Sequence, residues 1–127
     1  PFYDTTEAVD FPIKIEGVDA FPKYKGYRLI KGYPEFIYKI GDYEIRELIR
    51  TSENNLGITR KFYVSPKTPL TFKVTLDESS IYSSSAGRIS NDGTLKLTAK
   101  QAMEFDLTII EKNPATPAAT QIKGSKK

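Results

Sequence analysis

The stretch YKGYRLIKGYPEFIYKIGDYEIREL, residues 24 to 48, decides the fold. It holds tyrosines at 24, 27, 33, 38 and 43 and two short glycine-bearing turns, Lys31-Gly32 and Gly41-Asp42. Gly41-Asp42, with its glycine first, suits a two-residue type II′ hairpin turn. Such a turn pairs Ile40 with Tyr43, Lys39 with Glu44 and Tyr38 with Ile45. A two-residue loop at Lys31-Gly32 pairs Tyr27 with Phe36 and Arg28 with Glu35. The two registers are mutually consistent. One face collects Tyr27, Leu29, Phe36, Tyr38, Ile40, Tyr43 and Ile45, and the other sets Arg28 opposite Glu35 and Lys39 opposite Glu44. Opposite charges across strands add about 0.2–1 kcal/mol each, so they support this register without driving it. A slip of one residue would turn the aromatic face to water. Tyr27, Tyr38 and Tyr43 therefore read as core, whereas Tyr24, at a strand start, and Tyr33, at a turn, read as exposed contact rings.

Period-two alternation continues outside this stretch. Leu70, Phe72, Val74 and Leu76 alternate with Thr71, Lys73 and Thr75; Met103, Phe105, Leu107 and Ile109 alternate with Glu104, Asp106 and Thr108. Phe62 with Val64, and Leu95 with Leu97, follow the same rule. Each run reads as a half-buried strand. Asn91-Asp92-Gly93, between Arg88-Ile89-Ser90 and Thr94-Leu95-Lys96-Leu97, is a hairpin signal. Ile45, Leu48 and Ile49 also fit a helical spacing; a strand is expected there, with a bulge near Glu47 that shifts the inward parity. The pattern predicts an all-β antiparallel β-sandwich of about 8–10 short strands. Its core is expected to contain Ile15, Tyr27, Leu29, Phe36, Tyr38, Ile45, Phe62, Leu70, Phe72, Val74, Leu95, Leu97, Phe105, Leu107 and Ile109. The sandwich should span residues 11–112. Residues 1–10 read as a loosely attached segment, and residues 113–127, NPATPAATQIKGSKK, as a flexible, disordered linker or tail.

Composition narrows the chemistry. The 127-residue chain has the length of one domain and no Cys or His. Without His there is no Ser-His-Asp triad and no imidazole base near neutral pH. The usual zinc ligands are missing, as is any haem attachment motif. The net charge of +3 equals the three lysines of the tail, Lys123, Lys126 and Lys127, so residues 1–122 are electroneutral. A nucleic-acid binder concentrates positive charge on its folded face, and no nucleic-acid partner is expected. No apolar run is long enough for a membrane-spanning helix. No signal peptide is visible; the chain opens on Pro1 rather than Met and is expected to be processed or cut from something longer.

The central residues also carry a family resemblance. Tyr24-Lys25-Gly26-Tyr27-Arg28-Leu29, then Pro34-Glu35-Phe36-Ile37-Tyr38, Gly41 followed by Ile45, and Leu56-Gly57-Ile58-Thr59-Arg60-Lys61-Phe62 resemble a β-sandwich accessory domain of large secreted bacterial proteins. In those proteins it accompanies a sorbosone/glucose-dehydrogenase-like propeller and a c-type cytochrome. The resemblance covers residues 13 to 64, with Ile30 standing where a small acidic or polar turn residue is expected. It implies a non-catalytic module of a periplasmic or extracellular redox protein and names no catalytic residue.

Side chains that could carry chemistry have plainer readings. Ser79, Ser80, Ser83, Ser84 and Ser85 lack a base to activate them and read as a flexible polar loop. Asp77, Glu78 and Asp92 lack the alternate spacing of a calcium loop and read as solvated turn acids. Arg60 falls at an inward parity between Ile58 and Phe62 and should meet a carboxylate or carbonyl cluster, because a buried guanidinium must be paired. No catalytic residue, metal site or cofactor is therefore expected, and the chain alone is not expected to be an enzyme. The leading expectation is an accessory module that contacts neighbouring domains or a protein partner. A carbohydrate-binding module using Tyr24, Tyr33 and Tyr63 is the alternative, and a structural subunit of a virion or surface appendage is a third.

Overall fold

The computed structural model describes residues 11–52 and 55–112. The segments expected to be loosely attached or tail-like, 1–10 and 113–127, lie outside the described residues. Among the described residues nine strands and one short helix follow in chain order: β1 (Ile13–Ile15), β2 (Lys23–Ile30), β3 (Tyr33–Ile40), β4 (Tyr43–Thr51), β5 (Gly57–Ser65), β6 (Leu70–Lys73), β7 (Ser80–Ser84), β8 (Thr94–Leu97), α1 (Ala99–Ala102) and β9 (Glu104–Glu111). They form two antiparallel sheets, ordered β1-β6-β8 and β2-β3-β4-β5-β9-β7. The all-β antiparallel sandwich expected from the alternation is the observed fold.

Turn chemistry sets the first three strands of the large sheet. Gly41 has φ +57° and Asp42 stays on the negative side, as a type II′ turn requires. The pairs Ile40–Tyr43, Lys39–Glu44 and Tyr38–Ile45 follow. Lys31 and Gly32 both have positive φ, +54° and +87°, giving a type I′ turn that pairs Tyr27 with Phe36 and Arg28 with Glu35. The segment that also fitted a helix is strand β4.

The expected bulge near Glu47 is not there. Pairing runs unbroken through Glu47 on both sides, to Phe36 and to Phe62. The one shift among these strands lies between Tyr24 and Gly26 of β2. Glu47 keeps its inward parity and is buried by pairing with Arg60, so the backbone needs no extra residue.

The two sheets meet over an apolar core. Phe62 and Phe105 of the large sheet stack at 5.2 Å, and Phe72 of the small sheet sits edge-on to them at 5.0 and 6.0 Å. All three rings are fully buried, and Ile13, Ile15, Tyr38, Ile40, Ile45, Val64, Leu70, Val74, Leu95, Leu97 and Leu107 join them. Most of the expected core is here. Tyr27 and Leu29 are not: they are 61% and 63% exposed. Their register is as expected, but three strands cannot cover the inner face of six, and β2 lies at the edge beyond the cover. Phe36 and Ile109 are half-buried for the same reason. Leu76, past the end of β6, is exposed.

Three further differences are local. Residues Ser80–Ser84, read as part of a flexible loop, form edge strand β7, because Ile81 and Tyr82 continue the alternation across β9. The Asn91-Asp92-Gly93 turn forms, with Gly93 at φ +88°, where a Cβ would lie 2.1 Å from the Val74 carbonyl oxygen. Arg88–Ser90, however, is not a strand; Ser90 instead closes the turn, its N–H donating to the Thr94 carbonyl at 2.9 Å. Finally, Thr98 and Gln101 form a reciprocal capping box that starts α1, the Thr-x-x-Gln arrangement that satisfies two orphan N–H groups.

Two outcomes follow from this architecture. Phe72→Ala should destabilise the domain by about 3–5 kcal/mol, measured by urea denaturation; unchanged stability would remove Phe72 from the sheet junction. The Asp92 carboxyl is held down to about 2 by the Ser90 hydroxyl and by the Thr94 hydroxyl and N–H. Its folded-state pKa is lowered, so its contribution is present above the ordinary carboxylate range and is lost as pH falls toward 2. Melting temperatures of wild type and Asp92→Asn should differ near neutrality and converge between about pH 4 and pH 2.

Candidate functional site

Tyr24, Tyr33 and Tyr63 do not form one platform. Tyr24 pairs with Tyr38 on the inner face of the large sheet, whereas Tyr33 and Tyr63 lie on the outer face with Glu35 and Arg46. Tyr33 stands at the Lys31-Gly32 turn, four residues along β3 from Ile37, the residue in line with Arg46 and Tyr63. The face of the Tyr63 ring is also occupied. The Arg46 guanidinium lies 4.7 Å from its centroid and the Lys61 ammonium 5.9 Å.

The outer face carries a charge network with one gap among the described residues: Asp106, opposite Lys61, has a buried carboxylate oxygen, Oδ1, without a hydrogen-bond partner. Glu35 is buried and accepts from Arg28 Nε at 2.7 Å and from Arg46 at 3.4 Å. Glu44 lies 3.7 Å from Arg46. Lys61 meets Glu104 at 2.9 Å, and that hydrogen bond is the main reason its pKa is raised. The aliphatic stems of such residues cover apolar surface, consistent with Leu48 being buried on this side.

The inner face differs. Phe11, Tyr38, Tyr24, Phe36 and Tyr27 form a chain of ring contacts with centroid separations of 4.9, 5.7, 6.4 and 6.0 Å. The chain is buried at Tyr38, next to the half-buried Phe11 at one end, and emerges at Tyr27 beside Leu29 at the other, with Tyr24 40% exposed along the way. Aromatic and aliphatic surface thus reaches solvent on the inner side of β2. Sequence reasoning assigned Tyr27 and Leu29 to the core and so missed them as surface. The available signal was their place on the first strand of the Tyr24–Leu48 meander, a position that can leave a strand at a sheet edge.

Between the covered and uncovered parts of this face lies the Glu47–Arg60 pair. Glu47 sits in a cross-strand row between Phe36 and Phe62. Its carboxylate is 2.5 Å from Arg60 Nε, and the guanidinium lies over Phe62 and Phe72 at 5.2 and 5.8 Å. This is the carboxylate partner expected for Arg60. A cavity of roughly 330 Å³ lined by Arg60, Val74, Tyr82, Leu107 and Ile109 gives the arginine access to water.

The serine-rich segment is occupied structurally. Ser79 donates to Asp77, Ser84 accepts from the Ala86 N–H, and Ser85 accepts from the Asp106 N–H. The Ser79 N–H and hydroxyl lower the Asp77 pKa. Among the described residues no group of three or more Asp, Glu, His or Cys could hold a metal ion, and no helix is long and apolar enough to cross a membrane. Comparison with protein-family models, curated proteins and solved structures found no match to this chain.

Removing one partner of a buried ion pair strands the other. Glu47→Gln should therefore destabilise the domain by about 3 kcal/mol, with the water-accessible end of Arg60 holding the loss at the low end of that range. Denaturant melts of the variant would test this, and a loss within error of zero would make the pair decorative.

Proposed function

We propose that the chain is a non-catalytic β-sandwich accessory module of a larger secreted bacterial redox or sugar-processing protein. It works by docking neighbouring domains or a protein partner. The observation that carries this reading is the exposure of Tyr27 and Leu29 on the inner side of β2, continuous with the ring chain through Phe36 and Tyr24. Exposed apolar surface of this continuity suits a protein contact, and interface cores are enriched in such aromatics. The resemblance of residues 13 to 64 to accessory domains beside dehydrogenase-like propellers supports a periplasmic or extracellular setting. A sugar platform fits less well, because Tyr24 and the pair Tyr33 and Tyr63 lie on opposite faces.

The test is to supply the flanking polypeptide of the same reading frame in trans and measure association by calorimetry. Tyr27→Ser with Leu29→Ser should weaken association at least about tenfold, the loss of a central interface contact. Both side chains are exposed, so folded stability should change by only about 0.5 kcal/mol. Undiminished association would overturn the assignment of the surface. Saturable binding of a soluble polysaccharide, abolished by Tyr24→Ala, would replace the protein partner with a sugar.

A further inference from the structure

We infer that β2 accepts an extended, acidic segment of a partner as an added strand. This inference rests on the docking reading and specifies its occupant. Among the described residues β2 pairs with β3 alone, so it is one edge of the six-stranded sheet. An edge strand offers unpaired N–H and C=O groups as a template for another chain. Edge strands are commonly guarded by bulges and lysines. Here the bulge lies between Tyr24 and Gly26 and guards only the first half of β2. From Gly26 to Ile30 the register is regular, and this half carries Tyr27 and Leu29, each more than 60% exposed.

Charge identifies the partner. Residues 23 to 34 contain Lys23, Lys25, Arg28 and Lys31 and no acid. Among the described residues, only Arg28 of these meets a carboxylate, that of Glu35. Lys23 lies directly opposite Lys39, a like-charge cross-strand pair that an anion beside it would relieve. A symmetric dimer through β2 would bring four cations from each copy together, which disfavours a second copy as occupant. Side chains of an added strand alternate between faces. Apolar residues facing Tyr27 and Leu29 therefore leave the intervening positions beside Arg28, and acids where the segment continues past the bulge meet Lys23 and Lys25 as charges rather than as strand neighbours. The occupant is thus an extended segment alternating apolar and acidic residues.

The probe is an eight-residue peptide alternating Val and Glu, matched to the eight residues of β2. Binding is read by fluorescence anisotropy, and added protection by amide hydrogen exchange in β2. Successive N–H groups of a strand point to opposite edges. N-methylation of all Val amides or of all Glu amides should therefore abolish binding in one peptide and spare it in the other. A Val-Lys peptide should not bind. Lys23→Glu with Lys25→Glu should weaken binding by about tenfold, with the difference shrinking as salt rises.

Absence of binding by the Val-Glu peptide overturns the inference. Binding that survives both N-methylations yet falls with Tyr27→Ser and Leu29→Ser overturns strand addition while leaving the docking surface intact. Peptide binding indifferent to those two serines sinks the docking reading with it. A concentration-dependent dimer that protects β2 amides, seen by light scattering and exchange, would install a second copy as the occupant and overturn the acidic partner.

Discussion

Three phenylalanine rings join the two sheets, and the reach of that contact determines what the rest of the surface can be. Phe72 brings the small sheet onto Phe62 and Phe105, and the surrounding Ile, Leu and Val residues complete an apolar core. Burying an aromatic side chain contributes on the order of 2–3 kcal/mol, so the seal is strong where the rings meet. Beyond it, the six-stranded sheet outruns its cover. The same mismatch in strand number that leaves Tyr27 and Leu29 in water also places Arg60 at the boundary, where it can be half-solvated and still neutralise Glu47.

The large sheet's first three strands were legible because their determinants are local. Gly41-Asp42 and Lys31-Gly32 each dictate a hairpin geometry, and alternation then assigns every side chain to a face. Which faces are covered is a different kind of question. It depends on how strands distant in sequence stack, and no residue near Tyr27 or Leu29 encodes the width of the opposing sheet. Strand β7 was hidden by composition, since its serines resemble a loop, although Ile81 and Tyr82 already alternate. The helix was announced by Thr98 and Gln101, a capping box readable from sequence, but its single turn adds too little periodicity to stand out beside the strands.

The Glu47 region shows where parity reasoning went astray. The apolar spacing of Ile45, Leu48 and Ile49 suggested a bulge that shifts parity near Glu47, while Arg60 at an inward position called for a carboxylate or carbonyl partner. The structure has no bulge there; Glu47 stays inside and is the carboxylate that Arg60 needs, while Leu48 is buried on the outer face. Of the candidate contact rings, Tyr24 remains on the exposed inner side, while Tyr33 and Tyr63 belong to the opposite face. Strand parity alone could place Tyr33, but Tyr63's neighbours required knowing that β4 and β5 are adjacent.

The diagonal pairing of Glu47 with Arg60 also constrains how this sequence can change over generations. Neither residue can be replaced alone without leaving an ion among rings, whereas joint replacement by apolar side chains of like volume would be tolerated. Substitutions at these two positions should therefore travel together through descendants of this chain.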